Sequence, residues 1–509
     1  MLSTTLCYGL GGIDGLQITV EVNLSSGLPM FDIVGLPDAA VKEARERIRA
    51  ALRNCGYSFP EDRITVNLAP ADLKKEGPSF DLPIAIAILA CSHRVNPIAI
   101  RDIAILGELS LDGSVRPIRG ALPMAISART HGVKKMILPD GNSSEVSCID
   151  GIELIPARNL TQVVRHLSGE EKIPPIEAAA YSQLLKNREY SSDFRFVKGQ
   201  RSAKRALEIA AAGGHNVLMV GPPGSGKTLM ARCMPSILPD MTFDEALVST
   251  RIHSVAGCAP ESGLLTERPF RSPHHTASHV SLVGGGVHAV PGEISKAHNG
   301  VLFLDELPEY KRDVLEALRQ PMEDGFVSIT RVSAQSTYPS EFMLICSMNP
   351  CPCGHYGSRT HECRCSSAEI RRYLSRVSGP LLDRIDMHIE VESIPAERLS
   401  EEKEAEASCE IRKRVEEARA FQRQRYENSK ISCNARLGAQ NIHEFCKLAP
   451  DARKMLSMAT ETMGLSNRAF TRIIKVARTI ADLEKEMVIN QTHIAEALQY
   501  RSIDDKYWH

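Results

Sequence analysis

The chain is poor in aromatic residues. Its 509 residues include one tryptophan, and aromatics make up 5%. A surface that stacks unpaired bases interleaves aromatics with basic residues, and this sequence has no such stretch. Bulk charge is also missing: 61 Lys and Arg against 62 Asp and Glu leave a formal net charge of −1. No overall field therefore draws the chain to nucleic acid, and any DNA contact has to come from a local basic patch or the pore of a ring. No run of 18 apolar residues occurs, so no membrane-spanning helix is expected. The first residues lack a charged segment followed by an apolar one, so no secretory signal is expected either. Cysteine is not scarce. There are 14, several in apolar segments, such as Cys91, Cys233 and Cys346, and a reducing cytoplasm with free thiols accounts for them most simply. With 43% hydrophobic residues, the length suits two to four packed domains.

What is present is concentrated in one stretch. Gly221, Pro222, Pro223, Gly224, Ser225, Gly226, Lys227 and Thr228 fit the G-x-x-x-x-G-K-[ST] phosphate loop at every defined position. Val217–Val220 reads as a buried strand entering the loop, and the residues after Thr228 read as a helix leaving it. Backbone N–H groups of such a loop face phosphates, and the helix N-terminus adds partial positive charge. Lys227 would reach the β- and γ-phosphates of ATP, and Thr228 would hold Mg²⁺. Val301–Leu304 is a second short apolar run, ending in Asp305 and Glu306. Asp305 would coordinate Mg²⁺, and Glu306 would polarise the attacking water. Phe342–Ser347 reads as another central strand, with Asn349 just past its end to orient that water. Arg384, in Leu382-Asp383-Arg384, suits a finger supplied to a neighbouring subunit's nucleotide. Arg468, at the start of a C-terminal helical stretch, suits sensing of the γ-phosphate.

Taken together, Gly221–Thr228, Asp305, Glu306, Asn349, Leu382–Arg384 and Arg468 resemble the working set of an AAA+ ATPase. The segment Arg268–Ser278 and the glycines 284–286 before Pro291 resemble the magnesium-chelatase-like branch. Asp32–Asp38 and Lys75–Pro83 extend the resemblance across the chain to the ComM/YifB family. That resemblance implies an α/β fold: an AAA+ P-loop NTPase core with a C-terminal helical lid, preceded by a Lon-like (ribosomal protein S5 domain 2-like) α/β domain. It also implies a homo-oligomeric ring, a hexamer, and a DNA helicase, acting on single-stranded or branched DNA, that drives branch migration during uptake and integration of DNA. Two other classes stay open: a magnesium-chelatase-type ATPase subunit and an AAA+ unfoldase or protease-like regulator. The partner motif Asp-x-Ser-x-Ser of chelatase systems is absent from this chain.

Four regions are expected: a Lon-like domain over 1–170, a linker over 171–193, the nucleotide-binding domain over 194–395, and a helical lid over 396–509. The charged stretch Glu401–Asn428 reads as a solvated helix. Within the first region, Lys75–Ser79 resembles the catalytic-serine segment of Lon proteases. Gly107–Ile118 resembles the segment before the Lon lysine, whose place falls near Leu122. A serine without a partner base is a weak nucleophile, so a Lon-like fold without peptidase activity is expected.

Cys351, Cys353, Cys363 and Cys365 form two Cys-x-Cys pairs nine residues apart, a set that can hold tetrahedral Zn²⁺ or stand as a loop of reduced thiols. Candidate DNA contacts are Arg331, in the alternating stretch Gly325–Ser333 that suits a pore hairpin, and the cluster of Arg268 and Arg271 with His274 and His275.

Overall fold

In a computed structural model, the described residues are 1–73, 75, 77–178, 181–186, 188, 190–286, 289–330, 335–358, 361–393, 405–429 and 431–508. The chain divides into two compact units. One comprises Met1–Asn187, Phe243–Thr266 and Ser328–Tyr338, and the other comprises Arg188–Thr242, Glu267–Val327 and Pro339–His509.

The first unit is built on a seven-stranded sheet. Its strands are β1 (Leu2–Gly11), β2 (Asp14–Ser25), β3 (Met30–Val34), β4 (Arg63–Ala69), β5 (Ile103–Ile105), β6 (Lys135–Pro139) and β7 (Glu153–Ala157). They lie in the order β3-β4-β2-β1-β5-β6-β7. The β1–β2 and β2–β4 pairs are antiparallel and the others parallel. Burial alternates along β2 and β4, as for a sheet with one covered face. Helix Ala39–Asn54 starts at Asp38, whose carboxylate accepts from Val41 N at 2.8 Å and also from Gly77 N at 3.1 Å. Helix Asp81–Cys91 is buried at every position.

Residues 243–266 fall inside the segment expected to be nucleotide-binding, yet they belong to this first unit. Side chains explain the attachment. Arg251 donates to Ile13 O at 2.8 Å and pairs with Asp14. The Ser254 hydroxyl donates to the Glu145 carboxylate, which also accepts from Leu122 N at 3.1 Å. At Gly263, a Cβ would stand 2.0 Å from Ser144 O, so only glycine allows this approach.

The second unit is built on a five-stranded sheet of β8 (Val217–Val220), β9 (Phe270–Arg271), β10 (Val301–Leu304), β11 (Met343–Met348) and β12 (Met387–Glu390). All pairs are parallel, in the order β9-β10-β11-β8-β12. Every residue of β8, β10 and β11 is buried, which is why these strands read as unbroken apolar runs. Helices Arg201–Gly213, Lys227–Ile237, Ser408–Arg425 and Asn467–Leu483 share one core with them. Residues 394–404, which include the expected boundary at 395 and the start of the charged stretch at Glu401, lie outside the described residues. Among the described residues no helix is long and apolar enough to cross a membrane.

Candidate nucleotide site

In a parallel sheet, ligands gather at the carboxyl ends of the strands where strand order reverses. Here β8 sits between β11 and β12, and the ends of β8, β10 and β11 meet around one cavity of about 400 Å³. Pro223 to Leu229, Asp305, Glu306 and Ser347 to Asn349 line it. The phosphate loop has the backbone its sequence demands. Gly224 and Gly226 take φ of 75° and 87°, with open space where a side chain would go. Gly221 lies so near Val391 that a Cβ would stand 2.2 Å from its carbonyl oxygen. Gln200 fastens the loop from outside, donating to Ser225 O at 3.2 Å and Glu392 O at 2.6 Å.

Lys227 opens the helix after the loop. Its ammonium donates to Gly221 O at 2.7 Å, Pro222 O at 2.8 Å, Ser225 Oγ at 3.3 Å and Asn349 Oδ1 at 3.4 Å. Burial lowers its pKa to about 8, against the opposing pull of Asp305. Next to it the Thr228 hydroxyl donates to Asp305 Oδ2 at 2.8 Å. The Ser347 hydroxyl, from β11, donates to Asp305 Oδ1. One carboxylate is thus oriented from two sides at the end of β10. Glu306 follows with φ of 53°, a left-handed backbone costly for a non-glycine residue. Its carboxylate is exposed and lies 3.4 Å from His275 Nδ1. The donor set fits Mg²⁺–nucleotide: a hydroxyl beside a carboxylate for a hard cation, and a lysine beside glycine-rich backbone for phosphate oxygens. Bound there, the cation would neutralise charge on the β- and γ-phosphates. Thr228 and Asp305 would hold it, and Glu306 and Asn349 flank the space where a water would stand.

Several expected residues lie elsewhere. Arg384 is not at this cavity. Its side chain is 8% exposed and pairs with Glu323 at 2.5 Å, while Nη1 donates to Pro380 O at 2.7 Å. Arg468 is exposed in the first turn of helix Asn467–Leu483 and does not line the cavity. The guanidinium of Arg268 is engaged with backbone, donating to Pro239 O at 2.6 Å, Asn299 O at 2.8 Å and Asp240 O at 3.3 Å. Arg271 pairs with Glu293 at 2.6 Å. Both arginines tie segments of their own unit together, a geometry that does not favour a phosphate-facing role. Arg331 lies outside the described residues, between paired strands Phe326–Thr330 and Gln335–Pro339.

Ser347, Glu323 and the His275–Glu306 contact had no signal in the sequence. Ser347 reads there only as the end of an apolar run.

The four cysteines do converge. Their sulfurs lie within 4.8 Å of one another. Burial pushes the Cys353 thiol up, but the backbone N–H groups of Arg364 and His355 and the neighbouring thiols outweigh it, and its pKa falls to about 6.

With this geometry in hand, similarity to known proteins decides the family. Residues 193–399 match the family described as magnesium chelatase, subunit ChlI. Residues 20–142 match subunit ChlI of Mg-chelatase, and residues 405–501 match its C-terminal part. The chain is 45% identical over 494 residues to the competence protein ComM of Haemophilus influenzae, covering 97% of this chain and 96% of that one. It is 44% identical over 495 residues to the protein YifB of Escherichia coli, again covering 97% and 96%. The chain belongs to the ComM/YifB family. That family is of magnesium-chelatase-type AAA+ ATPases, a type that uses ATP and Mg²⁺. A further match is partial: Lon protease 2 of Bacillus subtilis is 28% identical over 172 residues, 31% of either chain. The ComM/YifB fold is thus an AAA+ core with helical C-terminal region and a Lon-like α/β part.

Proposed function

We propose that this ComM/YifB chain is an ATP- and Mg²⁺-dependent motor that assembles into a homo-oligomeric ring, a hexamer, in the cytoplasm. Lys227 and the loop Gly221–Gly226 bind the phosphates, Thr228 and Asp305 hold Mg²⁺, and Glu306 activates water positioned by Asn349. Arg384 acts in trans on the neighbouring subunit's nucleotide, and Arg468 senses the γ-phosphate. The division into 1–170, 171–193, 194–395 and 396–509 assigns hydrolysis to the third region and its transmission to the fourth. Zn²⁺ held by Cys351, Cys353, Cys363 and Cys365 is the other metal of this reading. The observation that carries the hydrolytic part is Asp305, oriented by both Thr228 and Ser347 beside the exposed Glu306.

The polymer moved is DNA, single-stranded or branched, and the task is helicase-driven branch migration. Support comes from the competence protein among the relatives. The test is ATPase rate with single-stranded, duplex and four-way-junction DNA, with Glu306→Gln as the blank. Loss of the activating carboxylate should lower turnover by about 10²–10⁴-fold while ATP binding is kept. Stimulation strongest with the junction supports the DNA motor. A flat response with good basal turnover points to a protein or metal-chelate client.

A further inference from the structure

The four-cysteine loop touches the nucleotide site at two places. Cys351 stands two residues after Asn349, whose Oδ1 is 3.4 Å from Lys227 Nζ. Gly354, with φ of 82°, lies against the phosphate loop so closely that a Cβ would stand 2.5 Å from Pro223 Cδ. Its backbone N–H donates to Cys351 O at 3.0 Å, so the cysteine pair and the Pro223 contact share one turn. Downstream of Cys365, helix Ser367–Leu374 begins at a Ser366–Glu369 capping box. Tyr373 from that helix meets the backbone N–H of Asn349.

Sulfur spacing identifies what the loop is shaped for. Cys351 lies 3.4 Å from Cys353 and 3.7 Å from Cys363, and Cys353 lies 3.7 Å from Cys363. A disulfide needs about 2.05 Å. Zn–S bonds of about 2.3 Å at tetrahedral angles place sulfurs about 3.8 Å apart. The spacing suits the second. A backbone N–H, from Tyr356, reaches Cys351 Sγ at 3.3 Å, a donor that stabilises a thiolate. Four protein ligands close the coordination shell and leave no open position, so the metal would be structural and not catalytic.

Resting on the reading of the cavity as an ATPase site, we propose that a zinc tetrathiolate at Cys351, Cys353, Cys363 and Cys365 is a strut for that site. It fixes Asn349 and Pro223 relative to Lys227, so hydrolysis depends on it more than nucleotide binding does. Removing the metal frees the turn at Gly354 and lets Asn349 leave its place. The γ-phosphate and Lys227 remain, but the group that orients water does not.

The experiment uses the full chain, purified without chelator and then treated with a mercurial that displaces zinc from thiolates. Zinc, ATP affinity, turnover and circular dichroism are measured before and after, with Cys409→Ser as an exposed-cysteine control. One zinc per chain is expected. Its removal should lower turnover at least tenfold and change ATP affinity by less than about threefold, with secondary structure intact. Gly354→Ala is the second variant: it should keep the zinc yet lower turnover, because its Cβ displaces Pro223. Well under one zinc per chain in zinc-replete protein overturns the metal. Equal turnover with and without stoichiometric zinc, together with normal turnover in Gly354→Ala, overturns the coupling. If zinc-loaded protein binds nucleotide but hydrolyses none, the ATPase reading has failed instead and the coupling falls with it, while stoichiometric zinc still upholds the metal site.

Discussion

Each unit carries a lysine, an aspartate and a serine or threonine on or beside a glycine-bearing segment, yet the two arrangements differ in kind. In the first unit these groups are closed on themselves. Lys75 is buried, with its ammonium on Pro70 O. Asp81 is fully buried, held by Arg47 at 2.7 Å and by Leu109 N at 3.3 Å. Ser79 is buried, and Leu122, at the place of the Lon lysine, is a core residue. In the second unit the groups border open space. Thr228 and Asp305 are half-buried and Glu306 is exposed, around a cavity of about 400 Å³. Polar residues without a cavity hold a fold together; the same types around a cavity can act on a ligand.

The strongest way to break this contrast concerns Arg384, a proposed ATPase residue that lies away from the cavity and pairs with Glu323 of its own chain. Arg384→Ala is expected to leave ATP binding in place and to lower turnover by about 10³-fold or more, the scale of an arginine finger. For this the Glu323 pair has to open on assembly. Turnover measured across protein concentration checks it, since a finger in trans makes wild-type hydrolysis depend on assembly. Normal turnover in Arg384→Ala would mean that the arginine's contacts with Glu323 and Pro380 O are its whole role, which is then structural.

The same contrast explains what the sequence could reveal. The phosphate loop was legible because local backbone demands residue types: positive φ at Gly224 and Gly226, and a strand buried on both faces at Val217–Val220. Asp305 and Glu306 were legible because they end such a strand. Ser347 was not, because its meeting with Asp305 depends on the register of β10 against β11. Nor was the place of Phe243–Thr266, which contacts such as Ser254–Glu145 and Arg251–Asp14 decide across more than 100 residues of chain. Arg268 looked like part of a cationic cluster because carbonyl partners 28 to 31 residues away leave no trace in spacing.

Arg47→Ala sharpens the contrast from the other side. It leaves the buried Asp81 carboxylate without its cation, and breaking such a pair costs about 3 kcal/mol. ATP turnover at a temperature where the variant is folded should stay normal. The pH dependence has a definite sign. Burial already raises the Asp81 pKa to about 6 from 3.8, against Arg47. The folded chain therefore holds the extra proton between those values, and this contribution to stability is lost as pH rises through 6. Without Arg47 the folded pKa rises further, so the variant should be less destabilised at pH 5 than at pH 7.5. Urea midpoints at the two values check it; equal losses would mean that Asp81 stays ionised regardless.

The smallest effect tests the open site itself. Lys227 has a folded pKa of about 8, lowered from 10.5 chiefly by burial. In the free chain it is charged below that value and loses its proton above it. Between about 8 and 10.5 the unfolded chain holds more protons, so this group favours folding increasingly as pH rises through that window. Nucleotide reverses the preference, because phosphate oxygens beside the ammonium favour the charged form. Affinity should then be level below pH 8 and fall above it, by at most about tenfold per pH unit, with one proton taken up on binding. Calorimetric titration of ADP at pH 7 and 9, in buffers of different ionisation enthalpy, reads that proton directly. A lysine folded permanently onto Gly221 and Pro222, like Lys75 onto Pro70, would take up none, and the two units would then be alike.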